Sequence, residues 1–385
     1  MTRIAPAWLP DPAVQAAMAA LAPLRPLFVG GCVRDALMGR PGADVDICVA
    51  APPEETMRRA AEAGLHAHPT GIDHGVVTLV AGGRPFEVAS LRRDVETDGR
   101  RAVIAYTEAV AEDAARRDFT LNALYADASG AVLDPTGEGL ADLAARRLRF
   151  VGEPRRRIGE DYLRILRFFR FHAQLGFAFG DPAALAACHA MAEGLARVSQ
   201  ERIGAEMLKL LAAPDPEPAL AAMGPVLPLA LPGAAPFTGL VAAERLEGEA
   251  PAPLRRLAAL GAPGAARALR LSRAEGAALG AIRAAFCGRQ SPAEAAWRHG
   301  AEAARDALLI RAAGGEPLPP GWRAEIARGA SASMPLSAAD LMEAGWRPGP
   351  ALGAALKRAE VRWIEADFAS GRTALLAAAG TPEDG

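Results

Sequence analysis

The chain has 385 residues, 43 basic against 45 acidic side chains, and a formal net charge of −2. A composition of 51% hydrophobic and 23% charged residues is that of an ordinary globular protein and excludes a disordered chain, and the length calls for two or three domains rather than one core. The near-neutral total excludes the uniform positive excess of a protein built to coat duplex DNA. In chain order, Val14 to Leu24 is apolar but has no basic leader and runs into Arg25-Pro26, so it reads as an amphipathic helix and not a signal peptide. Leu27-Phe28-Val29 is a short apolar strand stopped by Gly30-Gly31, and Val45 to Val49 alternates in strand fashion after the Pro41-Gly42 turn. Pro53 to Ala63 is helical. Gly75 to Val80 and Phe86 to Ala89 form a hairpin across Gly82-Gly83, Arg92 to Arg101 is a polar loop, and Phe119 to Tyr125 is helical.

From about residue 140 the strand signals end. Asp142 to Leu148, Gly159 to Leu175, Pro182 to Arg197 and Glu201 to Leu211 all carry helical periodicity; 212–235 is a proline-dense linker, and the remainder is Ala/Leu/Arg helix broken by Gly and Pro. The expected class is α+β: a head with a small mixed β-sheet and helices over 1–145, an all-helical neck over 146–215, and an all-helical body and tail over 216–385. Cys32, Cys48, Cys188 and Cys287 form no CxxC pair, which speaks against a zinc site or disulfide framework and fits a reducing, cytoplasmic setting. No apolar run reaches the length of a membrane span, so no membrane partner is expected.

Three groups of residues carry chemistry. In the first, a strand enters Gly30-Gly31 and then a helix bearing Arg34. Glycines there let backbone approach a phosphate, the helix start favours an anion, and Arg34 adds a charged fork. By itself the glycine pair reads equally well as a bare turn. Asp44-Val45-Asp46 follows. On a strand, residues i and i+2 share a face, and two carboxylates about 7 Å apart repel unless a cation lies between them. An isolated DxD is more often a solvated acidic turn; placed after Gly30–Asp35 it points to two magnesium ions serving in-line phosphoryl transfer.

The second group is Arg116-Arg117-Asp118-Phe119-Thr120-Leu121-Asn122. With Asp118 or Thr120 capping a helix here, two arginines would precede a helix start, where the dipole disfavours cations, so a compensating anion is expected. A triphosphate would serve; so would surface pairing with Glu112 and Asp113. The third group lies in 146–170, which holds nine arginines against Glu153, Glu160 and Asp161. Asp161, Arg164, Arg167 and Arg170 step by three over one side of a helix. On spacing alone, a surface salt-bridge ladder is the preferred reading.

The combination of Gly30-Gly31-Cys32-Val33-Arg34-Asp35, Asp44 and Asp46, Arg116 to Asn122, and Glu160, Asp161 and Arg164 closely resembles the class II tRNA nucleotidyltransferase and bacterial poly(A) polymerase family, of the DNA polymerase beta-like nucleotidyltransferase superfamily. The match is dense over about 27–211. The resemblance implies a nucleotidyltransferase head with Mg2+ on Asp44 and Asp46, and Glu87 as a third catalytic carboxylate or, equally, an exposed strand acid. It implies nucleotide contacts from Gly30, Gly31, Arg34 and Arg117, with Asp118 and Asn122 supporting the ribose and local architecture. Asp161 and Arg164 then act as an amino-acid template. The carboxylate accepts from the exocyclic amine of cytosine or adenine and the guanidinium donates to the ring nitrogen, whereas uracil and guanine present the opposite pattern. Glu160 holds that guanidinium in plane, and Arg167 and Arg170 suit phosphate or stacking contacts.

Asp134-Pro-Thr-Gly137 with Asp142-Leu143 resembles the hinge between head and neck, and Glu201-Arg202-Ile203 with Glu206 and Lys209 resembles the last neck motif, read as structural packing. The expected activity is addition of 3′-terminal CCA to tRNA from CTP and ATP, with tRNA as partner, no DNA, and the oligomeric state open. Poly(A) or A-only addition, and a catalytically silent RNA-binding protein, are the rivals. Some family members carry an HD phosphohydrolase domain; with no His-Asp dipeptide and only His299 after His189, no phosphodiesterase activity is expected.

Overall fold

Helix α1 (Pro12–Ala20) starts where Asp11 accepts a hydrogen bond from the Ala13 amide and Pro12 supplies its preset φ. The computed structural model describes residues 2–41, 44–97, 102–229, 237 and 239–382. Met1, Gly42 and Ala43, the stretch Asp98 to Arg101, residues 230–235 of the expected linker with Pro236 and Thr238, and the last three residues lie outside them. Within the described residues the chain divides into two compact units, 2–229 with 268–270, and the rest.

The first unit is built on β1 (Leu27–Val29), α2 (Gly31–Leu37), β2 (Ile47–Val49), α3 (Pro53–Glu62), β3 (His66–Gly71), β4 (Val76–Ala81) and β5 (Arg84–Ser90). The hairpin β6 (Arg92–Thr97) and β7 (Ala102–Tyr106) leads to α4 (Val110–Ala115), β8 (Tyr125–Ala126) and β9 (Val132–Leu133). The main sheet runs β3-β4-β5-β2-β1-β8-β9. Only β2 and β5 pair parallel; every other neighbouring pair is antiparallel, so the sheet is mixed, as expected. Strand residues alternate between two apolar faces. Phe28, Ile47, Val77, Leu79 and Val88 bury against α1, while Val29, Cys48 and Tyr125 turn to the face that holds Leu91 and Ala114. Each such buried large side chain contributes about 1.5–3 kcal/mol.

The neck follows: α5 (Gly139–Ala144), β10 (Arg147–Leu148), α6 (Pro154–Glu160), α7 (Leu163–Leu175), β11 (Ala178–Phe179), α8 (Pro182–Ala190), α9 (Gln200–Leu211) and α10 (Glu217–Met223). Buried Phe119, Phe150 and Phe168 join it to the head, with ring centroids 4.9 Å apart for Phe119–Phe150 and 5.3 Å for Phe150–Phe168. The second unit is helical throughout its described residues, from α11 (Leu240–Leu246) to α20 (Arg372–Ala379). Its interior includes Trp363 and Leu341, and a buried ion cluster of Glu244 with Arg255 and Arg256.

Several expectations need correction. Phe119 to Tyr125 is not a helix: a single 3-10 turn over Thr120–Asn122 leads into β8, because Tyr125 pairs with Val29. Arg92 to Arg101 is not simply a loop, since Arg92–Thr97 pairs with Ala102–Tyr106. Strands persist past 140, with β10 pairing parallel to β11, so the helix expected over Asp142 to Leu148 ends at Ala144. The linker contains α10. Gly159 to Leu175 is two helices, broken at Asp161, whose φ of −153° and ψ of 105° are extended.

Candidate active site

A cavity of about 620 Å3 opens on the edge of the sheet where β1 and β2 meet. Gly30 forms one wall. Its φ of 74° and ψ of −121° lie where side-chain-bearing residues are strained, and that conformation turns β1 directly into α2. Arg34, one turn into α2, lines the cavity. Its Nε and Nη2 donate to Asp35 at 2.8 and 3.0 Å, and its Nη1 donates to Asn122 Oδ1 at 2.7 Å.

Asp44 and Asp46 also line the cavity, but both precede β2, which starts at Ile47. The alternation of a strand nevertheless holds, because the Val29 amide donates to the Asp46 carbonyl at 3.1 Å and Val45 between the two acids is buried. Glu87 lies on β5 beside them, as the parallel register of Ile47 with Val88 requires, and faces the same cavity. Among the described residues no side chain donates a hydrogen bond or ion pair to these three carboxylates. Burial, then the fields of Glu87 and Asp44, push Asp46 up to about 6, against the relief given by Arg117. A hard divalent cation is the group that such an oxygen set lacks. Among the described residues no three His, Cys, Asp or Glu side chains stand close enough to hold one ion together. Glu87 shares the pocket and the field of the aspartates.

Arg116 and Arg117 sit differently from the expected helix start. Arg116 closes the carboxyl end of α4, where the dipole favours cations. Their anion is Asp113, whose side chain is 1% exposed. Asp113 Oδ1 accepts from Arg116 Nη2 at 2.6 Å, and Oδ2 accepts from Arg117 Nη2 at 2.9 Å and the Tyr125 hydroxyl at 2.7 Å. The arginine pair is thus fixed from beneath by a buried carboxylate, and Glu112 instead faces Arg93. Asp118 caps no helix. Its Oδ1 accepts from the Phe119 amide and from Asn122 Nδ2, and its Oδ2 from Arg167 Nε at 2.7 Å. Arg34, Asn122, Asp118 and Arg167 form one chain of hydrogen bonds along the cavity wall. Arg170 lines the cavity too, but its Nε is committed to buried Glu206 at 2.6 Å.

Of the residues singled out in the sequence, Gly30, Gly31, Arg34, Asp44, Asp46 and Glu87 meet Arg117, Asp118, Asn122, Arg167 and Arg170 in this cavity. Glu160, Asp161 and Arg164 do not line it. Arg164 Nη1 donates to Glu160 and to the Arg157 carbonyl, each at 2.9 Å, and its Nη2 to the Arg116 carbonyl at 2.9 Å. Asp161 accepts from the Leu163 amide at 3.1 Å and from Arg202 Nη2 at 2.8 Å. Asp161 lies in the extended break between α6 and α7, so the four residues at threefold spacing do not lie on one helix. Sequence reasoning passed over the buried role of Asp113, which stands at i,i+4 spacing to Arg117, and over His74, which lines the same cavity.

A family model described as the poly A polymerase head domain matches residues 27–149, and one described as a probable RNA and SrmB-binding site of polymerase A matches 180–224. Over 187 residues the chain is 42% identical to the CCA tRNA nucleotidyltransferase 1, mitochondrial, of Danio rerio, covering 48% of this chain and 43% of that protein. Over 192 residues it is 44% identical to the CCA-adding enzyme of Streptococcus gordonii, covering 49% and 46%. The matches thus span less than half the length of these curated relatives. Among solved structures, the Bacillus stearothermophilus CCA-adding enzyme in complex with CTP superposes with a TM-score of 0.76 at 31% identity, covering 92% of this chain and 93% of that one. A Thermotoga maritima CCA-adding enzyme complexed with tRNA, at 17% identity and a TM-score of 0.64, shares the fold over 98% of this chain and 99% of its own.

Proposed function

The chain belongs to the class II CCA-adding and poly(A) polymerase family of nucleotidyltransferases, and from that membership we propose that it builds the 3′-terminal CCA of tRNA from CTP and ATP, releasing pyrophosphate. The observation that carries this reading is the meeting, in one cavity, of a carboxylate set with no ion-pair partner among the described residues and a row of arginines fixed from behind. In this reading residues 1–145 hold the chemistry, 146–215 read the base, and 216–385 engage tRNA by shape and backbone contacts.

Asp44 and Asp46 would hold Mg2+, which when bound would supply Lewis acidity to the 3′-hydroxyl and charge neutralisation to the triphosphate. Gly30 and Gly31 let backbone approach the phosphates. Arg34 and Arg117 orient them as planar forks that Asp35, Asn122 and Asp113 already hold in place, so little side-chain freedom is lost when the nucleotide binds. Arg167 extends the same row. Asp161 and Arg164 select cytosine and adenine, which requires Arg164 to exchange its carbonyl partners, and Asp161 to exchange Arg202, for the base edge. The four cysteines are free, which fits a cytoplasmic setting.

The test supplies purified protein with tRNA ending before the CCA, CTP, ATP and Mg2+, and sequences the 3′ ends. CCA supports the proposal, a long A tail makes the protein a poly(A) polymerase, and no product leaves a silent RNA binder. Replacing both Asp44 and Asp46 by Ala abolishes addition while the fold survives; retained turnover would remove the metal assignment. Asp161→Ala or Arg164→Ala erodes selection of C and A over U and G, and unchanged selectivity in both places base reading elsewhere.

A further inference from the structure

The residues that line the cavity follow the strand order of the sheet. Asn122 and Arg117 lie beside β8, Gly31 and Arg34 follow β1, Asp46 precedes β2, and Glu87 is on β5. Beyond Glu87 come Val76 at the start of β4 and His74 just before it. The cationic groups that suit a triphosphate therefore stand at the β1–β8 end, and the carboxylates in the middle. In a displacement at phosphorus the attacking and leaving oxygens lie on opposite sides of the reacting atom. With pyrophosphate leaving toward Arg34 and Arg117, the attacking hydroxyl arrives over the β5–β4 end.

We propose that His74, Arg92 and Tyr106 form the seat of the acceptor RNA, holding the 3′-terminal nucleotide whose hydroxyl attacks; this rests on the nucleotidyltransferase reading of the same cavity. The turn carrying His74 is fixed from both sides. Arg92 Nη1 donates to the His74 carbonyl, and the Ser90 amide donates to the Gly75 carbonyl at 2.7 Å, with Gly75 in the left-handed region at a φ of 73°. The His74 ring is exposed and has no hydrogen-bond partner among the described residues, so both ring nitrogens are open to a ribose hydroxyl or phosphate oxygen. Tyr106 lies directly opposite Arg92 in the β6–β7 pair and keeps 40% of its surface exposed, a large aromatic face at the sheet's edge with a cation beside it. Tyr106 does not itself line the cavity; it is tied to the His74 turn through Arg92, which pairs opposite it and holds the His74 carbonyl. An exposed aromatic ring next to a guanidinium is the chemistry that stacks an unpaired terminal base without reading its identity. That tolerance is what the site needs, since its terminal base changes with every nucleotide added.

The test measures KM for CCA-less tRNA and for CTP separately, in the full-length protein, for Tyr106→Ala, Tyr106→Phe and His74→Gln. Tyr106→Ala and His74→Gln raise the tRNA KM about tenfold and leave the CTP KM unchanged, while Tyr106→Phe, which keeps the stacking face, stays near the unsubstituted protein. An unchanged tRNA KM in both, or a CTP KM that rises in step, overturns the seat. Should Tyr106→Ala fail to fold, His74→Gln decides, because that side chain makes no contact the turn depends on. An unsubstituted protein that adds nothing overturns the parent reading and this one with it, whereas full CCA addition with an unmoved tRNA KM overturns the seat alone.

Discussion

Asp113 lies beneath Arg117 and takes its guanidinium on Oδ2 at 2.9 Å, with 1% of the carboxylate side chain exposed. Burial alone would raise its pKa, but Arg117, then Arg116, and the Tyr125 hydroxyl hold it below the ordinary carboxylate range. The folded pKa is therefore below the unfolded value of about 3.9, so the stability it contributes is present above about pH 4 and is lost as pH falls through the folded value. Asp113→Asn leaves two arginines without their buried anion and costs about 3 kcal/mol at pH 7. Urea unfolding between pH 2 and 7 should show this loss together with a shallower acid slope than the unsubstituted protein. Because Arg117 also loses its orientation, the KM for CTP rises while kcat falls less; a variant that loses stability with KM unmoved would make Asp113 merely structural.

Asp46 shows the opposite sign. Its carboxyl is raised from 3.8 to about 6, by burial first and then by Glu87 and Asp44. The folded state then resists ionisation. The penalty is absent below about pH 4, grows as pH rises toward 6, and is constant above it, where the raised pKa corresponds to about 3 kcal/mol. In protein freed of divalent ions, Asp46→Asn should be more stable by about this amount at pH 8 and equal to the unsubstituted protein near pH 4. Adding Mg2+ should raise the unfolding midpoint of the unsubstituted protein and not that of the variant. Equal midpoints at pH 8 would mean that the three carboxylates do not strain one another.

Gly30 and Gly31 separate conformation from approach. Gly30 holds a φ of 74°, and a Cβ there would meet Arg117 Nη1 only at 3.5 Å, so Gly30→Ala is costly through the backbone rather than through a clash, about 1–3 kcal/mol. Gly31 is helical, and its Cβ would have Arg34 Nη2 at 3.8 Å as a neighbour. Gly31→Ala should therefore fold as well as the parent or slightly better. It should still raise the KM for CTP several-fold if phosphate packs on that backbone. Thermal melts and CTP kinetics on the two variants read the two effects apart.

Local signals carried the sheet well where apolar runs meet glycine pairs. Leu27–Val29 stops at Gly30-Gly31, and Val76–Ala81 and Arg84–Ser90 flank Gly82-Gly83, and the structure has strands there. They failed where a tertiary partner overrides a local pattern. Phe119 to Tyr125 has helical spacing, but Tyr125 is claimed by Val29 in the sheet and its hydroxyl by Asp113, so only one turn forms. The arginine pair was read against the wrong helix: assigned to the end of α4 rather than to the start of a new one, the same two cations become favourable. The break at Asp161 was hidden because 159–175 keeps its apolar period through it. The cavity members were legible as types at fixed spacing, and the buried carboxylates that orient them were not: the i,i+4 spacing that ties Asp113 to Arg117 also links exposed Glu112 to Arg116, so spacing does not say which acid is buried.

Arg167 and Asp118 close the cavity wall from the neck side. Asp118 is 8% exposed, and burial alone would raise its pKa, but Arg167 and Asn122 hold it low. Removing the guanidinium by Arg167→Ala leaves a buried carboxylate with only the Phe119 amide and Asn122 as donors. The Arg167 side chain is 32% exposed, so water compensates in part, and the expected cost is about 2 kcal/mol rather than the full value of a buried pair. Arg167→Lys keeps the charge but not the fork, since Nε and Nη2 both reach the same Oδ2 at 2.7 and 2.6 Å, and should recover only part of the loss. A double-mutant cycle with Asp118→Asn should give a coupling of at least about 1 kcal/mol. The consequence for function runs through Asn122, which holds Asp118 with its amide nitrogen and Arg34 with its oxygen. With Asp118 released, Asn122 no longer fixes Arg34, so Arg167→Ala and Asn122→Ala should raise the KM for CTP by similar factors and, combined, by little more than either alone. Fully additive effects would show that Arg167 meets the nucleotide independently of that relay.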